Sequence, residues 1–501
     1  MSVLSRRSLL LGMGAIPGAM GSAHWNHGKH LLLDSRIIER QEGTRLVLGQ
    51  VRKEPRNPLF GEDRPWEVRM DNLYGNVLYD AEERIYKLWY SPFIVNSREE
   101  MVPLEKRDST VYASVPEGKK NLALCYATSE DGLTWHKPEL GMFEYKGSKR
   151  NNILLGAPPS SEWEPPHGVG IFKDLCDPDP VRRYKMIFMR RPRDRSRDRR
   201  GDMARHLCVS FSRDGLHWQE PIPTEQPVMS GDTHNNALWA PSLRKYVLFT
   251  RRKVRGRIVA RAESEDFIHW SAGENVLRSL PSEPDRQTYA MPVFPYANVY
   301  LGLVMMMNLH PEDRNPGSDT VDCELAWSPD TVRWERVCPG SPLIPRGVQG
   351  ESPDWGCVWG CAYPILRDGM LRLYYGGNNG FHTNWRDGFL CLAYLRPDGF
   401  AGMEPEKPRG SGSIVTRPLE NASGTLRISA DAKNGAVKIA VLGEDGRILA
   451  ESSPVKGNVT DEPVQWAKGD YRALRGKTVR LRFDLTAARL YAFNVGDVSA
   501  G

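Results

Sequence analysis

Four stretches of the chain set acids beside groups that could share proton chemistry with them. "SGDTHNNALW" (230–239) packs Asp232, His234, Asn235 and a second amide together, donors and acceptors of the kind that meet the hydroxyls of a sugar. "EPDRQTYAMP" (283–292) puts Asp285 next to Arg286, a guanidinium able to keep a carboxyl ionised or to bind a carboxylate or sulfate. "GESPDWGCVWG" (350–360) carries Glu351 and Asp354 near Trp355 and Trp359, where desolvation would raise the pKa of Glu351 and make it a proton donor. "PWEVRMDNLYGNVLYD" (65–80) offers Glu67 and Asp71, while "EPPHGVGIFKD" (164–174) offers only His167. A carboxylic acid working with a carboxylate is the minimum for acid–base bond cleavage, so Asp71, Asp232, Asp285 and Glu351 are the candidate catalytic groups. Glu67, His167, His234, Asn235, Arg286 and Asp354 are candidate binding groups, joined by His382 and Trp385 of "GNNGFHTNWRD" (377–387), the indole as a stacking platform. Any one of these acids equally suits a capped turn or a rim ion pair; their recurrence at one point of a repeat favours a site.

The repeat is written in tryptophans. "YATSEDGLTW", "SFSRDGLHW", "RAESEDFIHW" and "LAWSPDTVRW" end at Trp135, Trp218, Trp270 and Trp334, and a degenerate fifth copy, "LAYLRPDGF", ends at Phe400. Each follows a strand-like aromatic and aliphatic run, such as "RIYKLWY" or "KYVLFTR", and each run has a further apolar segment upstream. Three strands and a short fourth after the turn, five times over, describe antiparallel blades of an all-β propeller across 45–405. Spacings of 83, 52 and 64 residues between the tryptophans exceed those of WD40 or kelch repeats and leave room for long loops. Past the linker "EPEKPRGSGS" (404–413), alternating segments over 414–498 read as a small C-terminal β-sandwich.

These repeats, the S-x-D-G-x-x-W turns and the appended sandwich resemble the five-bladed propellers of glycoside hydrolase families 32 and 43. The resemblance implies a funnel at which inner strands begin, with acids on different blades cleaving a glycosidic bond, one protonating the leaving oxygen while a carboxylate supports the sugar carbon or activates water. The family-32 motifs N-D-P-N-G, R-D-P and E-C are absent, so the acids are assigned from the inner-strand starts alone. A glycoside hydrolase acting on an oligosaccharide or polysaccharide is the expected function, with a non-catalytic carbohydrate-binding propeller as the alternative. The arginine-rich "RRPRDRSRDRRGDMAR" (190–205) would suit an anionic glycan. The alternating connections of a propeller put the S-x-D turns, and Asp131 with them, on the face opposite the funnel.

Composition narrows the rest. A charge of +6 over 501 residues with no basic stripe of interleaved aromatics does not suggest a nucleic-acid partner, and none is expected. "MSVLSRRSLLLGMGAIPGAMGSA" (1–23) pairs Arg6 and Arg7 with a short apolar stretch and a small-residue end, a twin-arginine-type signal peptide that predicts export to the periplasm or beyond, and no later apolar run is long enough for a membrane span. Eight cysteines do not make a disulfide scaffold, and the C-x3-C of Cys357 and Cys361 lacks the second pair a zinc site needs. No metal or cofactor is expected beyond a structural calcium ion inside the propeller, for which the sequence offers no ligand set.

Overall fold

Runs such as Lys245–Lys253 (KYVLFTRRK) and Met370–Asn378 (MLRLYYGGN) are rich in β-branched and aromatic residues and bury nearly every side chain, the pattern of strands covered on both faces. In the computed structural model, described over residues 28–158, 160–194, 205–225, 231–309 and 319–496, such runs build a five-bladed β-propeller followed by a β-sandwich. The signal-like segment 1–23 and most of the arginine-rich 190–205 lie outside the described residues.

Blade one pairs Asn76–Asp80, Ile85–Tyr90, Leu124–Ser129 and Ile153–Leu155 in that order from the centre outward. Blade two pairs His167–Lys173, Tyr184–Arg190, His206–Ser212 and Ile222–Pro223; blade three pairs Asn236–Ala240, Lys245–Lys253, Arg257–Ser264 and Glu274–Leu277. Blade four runs from Arg286–Ala290 through Val299–Asn308 and Thr320–Ser328 to Glu335–Val337. Blade five departs from the expected pattern. Its strands Cys357–Gly360, Met370–Asn378 and Gly388–Leu395 take their outermost partner, Arg52–Lys53, from the other end of the chain, so its fourth strand does not follow its own turn. The join links blade five to the start of the chain, and no local periodicity could announce it. Asp354 fixes the join: buried, it receives Lys53 Nζ at 2.5 Å and the Tyr375 hydroxyl at 2.8 Å.

The S-x-D turns do what their sequence implies. Asp131, Asp214, Asp266 and Asp330 each accept the two backbone N–H groups two and three residues on, at 2.7 to 3.0 Å. The residue after each acid has positive φ, met by Gly132 and Gly215 but also by Phe267 (φ 68°) and Thr331 (φ 69°). Each turn is hooked by the blade before it: Tyr374 to the Gly132 carbonyl, Trp89 to the Gly215 carbonyl, Arg182 to the Asp266 carbonyl, Arg261 to the Thr331 hydroxyl. Trp135 packs edge-on against Tyr374 of blade five, 5.8 Å between centroids, so the aromatic that ends blade one's turn fills an inter-blade seam.

The sandwich draws on both ends of the chain. Its sheet includes Ile38–Glu42 and Thr44–Leu48 paired with Ser411–Thr416 and Ala401–Pro405, around a core of Ile414, Ile439, Leu481, Phe483 and Phe493. All eight cysteines are free thiols, and among the described residues no helix is long and apolar enough to cross a membrane.

Candidate functional site

Inner-strand starts, second-strand ends and third-strand starts share one face of a propeller, and that face collects a continuous polar cluster from every blade. Blade one contributes Asp71, Asn72 and Tyr74 just before Asn76–Asp80, held by two successive left-handed residues, Leu73 (φ 56°) and Tyr74 (φ 47°), both buried. Non-glycine residues take that conformation at a cost, so the surrounding packing has to impose it.

Asp71 meets Arg386 Nη2 at 2.6 Å and Arg69 Nε at 3.2 Å. Burial alone would raise its carboxyl, but the two guanidinium groups outweigh that and hold it well below the usual carboxylate range. Arg69 also reaches Glu99 at 2.8 Å, which ties Asp71 to the segment between blade one's second and third strands. Asn72 is the next link: its carbonyl accepts from Arg386 at 3.0 Å, and its amide donates to the hydroxyls of Tyr74 (2.9 Å) and Tyr289 (3.1 Å).

Tyr289, on blade four's inner strand, sits at the centre of the cluster. His382 Nε2 lies 3.2 Å from its hydroxyl and His382 Nδ1 lies 3.1 Å from Asp319 Oδ2. Burial lowers the His382 pKa more than Asp319 raises it, so the ring is neutral at neutral pH. A neutral ring in this setting donates Nδ1–H to Asp319 and accepts the Tyr289 proton at Nε2. Asp319 is pulled up by burial but brought to about 2 by its bonds from His382 and Thr383. Arg251 and Arg257 place their guanidinium carbons 4.7 and 5.2 Å from the centre of the Tyr289 ring.

Asp232 closes the circle. Its carboxyl contacts His167 Nε2 at 2.9 Å, Arg251 Nη2 at 3.1 Å and Arg191 Nη2 at 3.8 Å, and these partners overcome its burial to keep it strongly ionised. Next to it the buried His234 stacks near Tyr74 (5.6 Å) and touches Asn76 Oδ1 at 3.1 Å; burial drops its pKa to about 3, so it is an uncharged wall group. The result is three carboxylates from three blades, Asp71, Asp232 and Asp319, linked through Asn72, Tyr289 and His382.

No family model matches the chain, and no curated protein matches it. Among solved structures it is similar to an N-acetylgalactosamine deacetylase from F. plautii in complex with blood group B trisaccharide, at 14% identity over 76% of this chain and 95% of that one, TM-score 0.40. A glycosyl hydrolase from Bacteroides ovatus gives 16% identity over 70% and 95%, TM-score 0.43, and a β-1,2-mannobiose phosphorylase from Listeria innocua gives 12% over 69% and 97%, TM-score 0.42. Similarity this distant carries no weight for substrate or residue roles.

Asp71, His167, Asp232, His234 and His382, expected at the funnel, are all in or against the cluster. The others are placed elsewhere, and the geometry corrects their assignment. Glu67 is buried behind the inner strand, bonded to the Tyr90 hydroxyl at 2.6 Å and to Lys137 at 2.8 Å. Asp285 is exposed, and its neighbour Arg286 is taken by two other carboxylates, Glu283 (2.7 Å) and Glu324 (2.5 Å), which compete for the guanidinium. Glu351 is exposed on its loop, without the indole cover that would desolvate it. Asp354 is consumed by Lys53 of the closing strand, and Asn235 by the carbonyls of Gly168, Gly231 and Thr233, to which its amide donates. Trp385 is covered rather than open: Tyr112 meets it edge-on at 4.7 Å, Arg107 lies 4.9 Å over its ring, and its indole N–H donates to the Thr110 carbonyl.

Tyr289, Asp319, Arg251, Arg257 and Arg386 are the members that the sequence did not single out. A further unanticipated carboxyl is Glu62, which accepts from the Met70 and Gly388 amides at 2.6 and 3.0 Å; burial, with Asp387 nearby, pushes it up to about 8.

Proposed function

We propose that the funnel binds a glycan and hydrolyses a glycosidic bond, on a substrate met outside the cytoplasm. The reading rests on one observation, the three ionised carboxylates on three blades converging around Tyr289 and His382. An ionised carboxylate is what an oxocarbenium-like transition state, or the water that attacks it, requires. Asp232 and Asp71 fill that role. Their guanidinium partners keep them charged as substrate displaces water. The proton for the leaving oxygen comes from the Tyr289 hydroxyl, since Asp71, Asp232 and Asp319 are all held ionised. The likeness of the repeat turns to families 32 and 43 supports the same class, and the Arg6–Arg7 segment supports the location.

Two variants test this on a glycan panel with the purified protein. Asp232→Asn should lower turnover by roughly 10²–10⁴-fold. Tyr289→Phe should retain cleavage of aryl glycosides, whose leaving groups need no proton, while losing oligosaccharides. Equal loss on both substrates would remove Tyr289 as proton donor. The binding alternative draws on the same carboxylates, because Asp71 and Asp232 are already paired with guanidinium groups; glycan affinity with no turnover in the wild-type protein would establish it.

A further inference from the structure

Blade three gathers more positive charge at the mouth than holding Asp232 ionised requires. Its second and third strands, Lys245–Lys253 and Arg257–Ser264, form an unbroken antiparallel pair up to the mouth, where Lys253 stands directly opposite Arg257. Strand alternation puts Arg251 on the same face as Lys253. Like charges directly opposite each other in a sheet are destabilising. This face nevertheless adds a third cation, and Arg191 of blade two reaches the same place: Arg251 and Arg191 share Asp232, while Arg251 and Arg257 share the Tyr289 ring. Arg257 has a neutral partner, Gln287 Oε1, at 2.8 Å. Asp232 is the carboxylate that Arg251 and Arg191 share, while Asp319 acts on Arg257 from further off. Burial lowers the pKa of both Arg257 and Lys253, and the nearby Arg251 lowers both further, as expected where like charges crowd together.

We propose that Arg191, Arg251, Lys253 and Arg257 form a subsite for an oxyanion carried on the sugar, the carboxylate of a uronic acid or a sulfate ester. The subsite rests on the reading of the funnel as a glycan site and names the substrate class. Three guanidinium forks suit planar, bidentate capture of such a group beside the catalytic carboxylates, and the ammonium of Lys253 supplies a mobile point charge at the rim. The bound anion supplies the missing counter-charge. In the free protein the same cations repel.

Thermal melts and calorimetric titrations at matched ionic strength test the subsite, with methyl glucuronoside, galactose 6-sulfate, neutral methyl glucoside and inorganic phosphate as probes. Either anionic sugar should raise the Tm of the wild-type protein and the neutral one should not. Arg257→Gln should bind the anionic sugar about tenfold more weakly, the loss of one charge-assisted contact. Without ligand, Arg257→Gln and the exposed Lys253→Gln should melt at or above the wild type, since each relieves repulsion. Equal affinity in wild type and Arg257→Gln, or a larger response to phosphate than to either anionic sugar, would overturn the subsite. A protein that binds the glucuronoside through this hairpin but cleaves no glycan would sink the hydrolase reading and keep the subsite. One that cleaves neutral glycans and binds neither anion would do the reverse.

Discussion

Single side chains at the mouth are set by their electrostatic neighbours, and Glu62 gives the sharpest case. Its folded pKa of about 8 stands above the ordinary 4.5, so the folded state holds a proton that the unfolded chain has released across that interval. The contribution is fully present below pH 4.5 and is lost as pH rises through 8. Glu62→Gln mimics the protonated form and cannot ionise, so the Tm difference between pH 5 and pH 9 should shrink in the variant relative to wild type; an unchanged difference would mean that Glu62 is ionised throughout. Nothing in the local sequence points to this residue, because burial and backbone amides from Met70 and Gly388 do the work and neither is local. Asp232, His167 and His234 were legible because they stand at the first residues of inner strands, a position the repeat itself defines. Tyr289 was not, since Asp285 in the same phrase drew attention as an acid while the pleat and an inner strand beginning at Arg286 brought the phenol to the cluster.

Turns and strands carry the next scale, and here the sequence was close to sufficient. Asp214 accepts the Leu216 and His217 amides, both at 2.8 Å, within the phrase that revealed the repeat, so motif and function of the turn coincide. Asp214→Ala should cost about 1 kcal/mol, the worth of a lost side-chain cap on otherwise unpaired amides. Urea denaturation would register this as a lower midpoint at unchanged slope. Glycan turnover should be unaffected, since the turn lies at the opposite end of its blade from Asp232. A loss of activity without loss of stability would contradict that placement. What the phrase could not show is the hook from the neighbouring blade. Trp89, 126 residues away in sequence, donates to the carbonyl of Gly215, and only the ring geometry brings the two together.

Over the whole molecule, the two ends of the chain lock the propeller to the sandwich, and one residue gathers the lock. Asp398, fully buried, contacts Lys29 of the first strand at 2.8 Å, accepts from Tyr296 of blade four at 3.0 Å and from Ser429 of the sandwich at 2.5 Å. In sequence it is the aspartate of the degenerate fifth repeat, the position that caps a turn in the other four. Here the strand that follows, Ala401–Pro405, leaves for the sandwich, and the aspartate is redirected to hold three elements instead of one turn. Burying a carboxylate is tolerated only with a partner charge and filled hydrogen bonds, and removing it would leave Lys29 only the more distant Asp461, at 3.6 Å. Asp398→Ala should therefore cost about 3–5 kcal/mol at the seam between the two bodies. The propeller core around Leu248, Leu301 and Leu373 and the sandwich core around Phe483 are separate clusters, so a weakened seam should let them melt apart. Calorimetry should show one cooperative transition in the wild-type protein and two in Asp398→Ala, the lower one being the sandwich. A single transition merely shifted downward would mean that the apolar contacts of Leu31, Ala401 and Ala492 across the seam, rather than this carboxylate, couple the two.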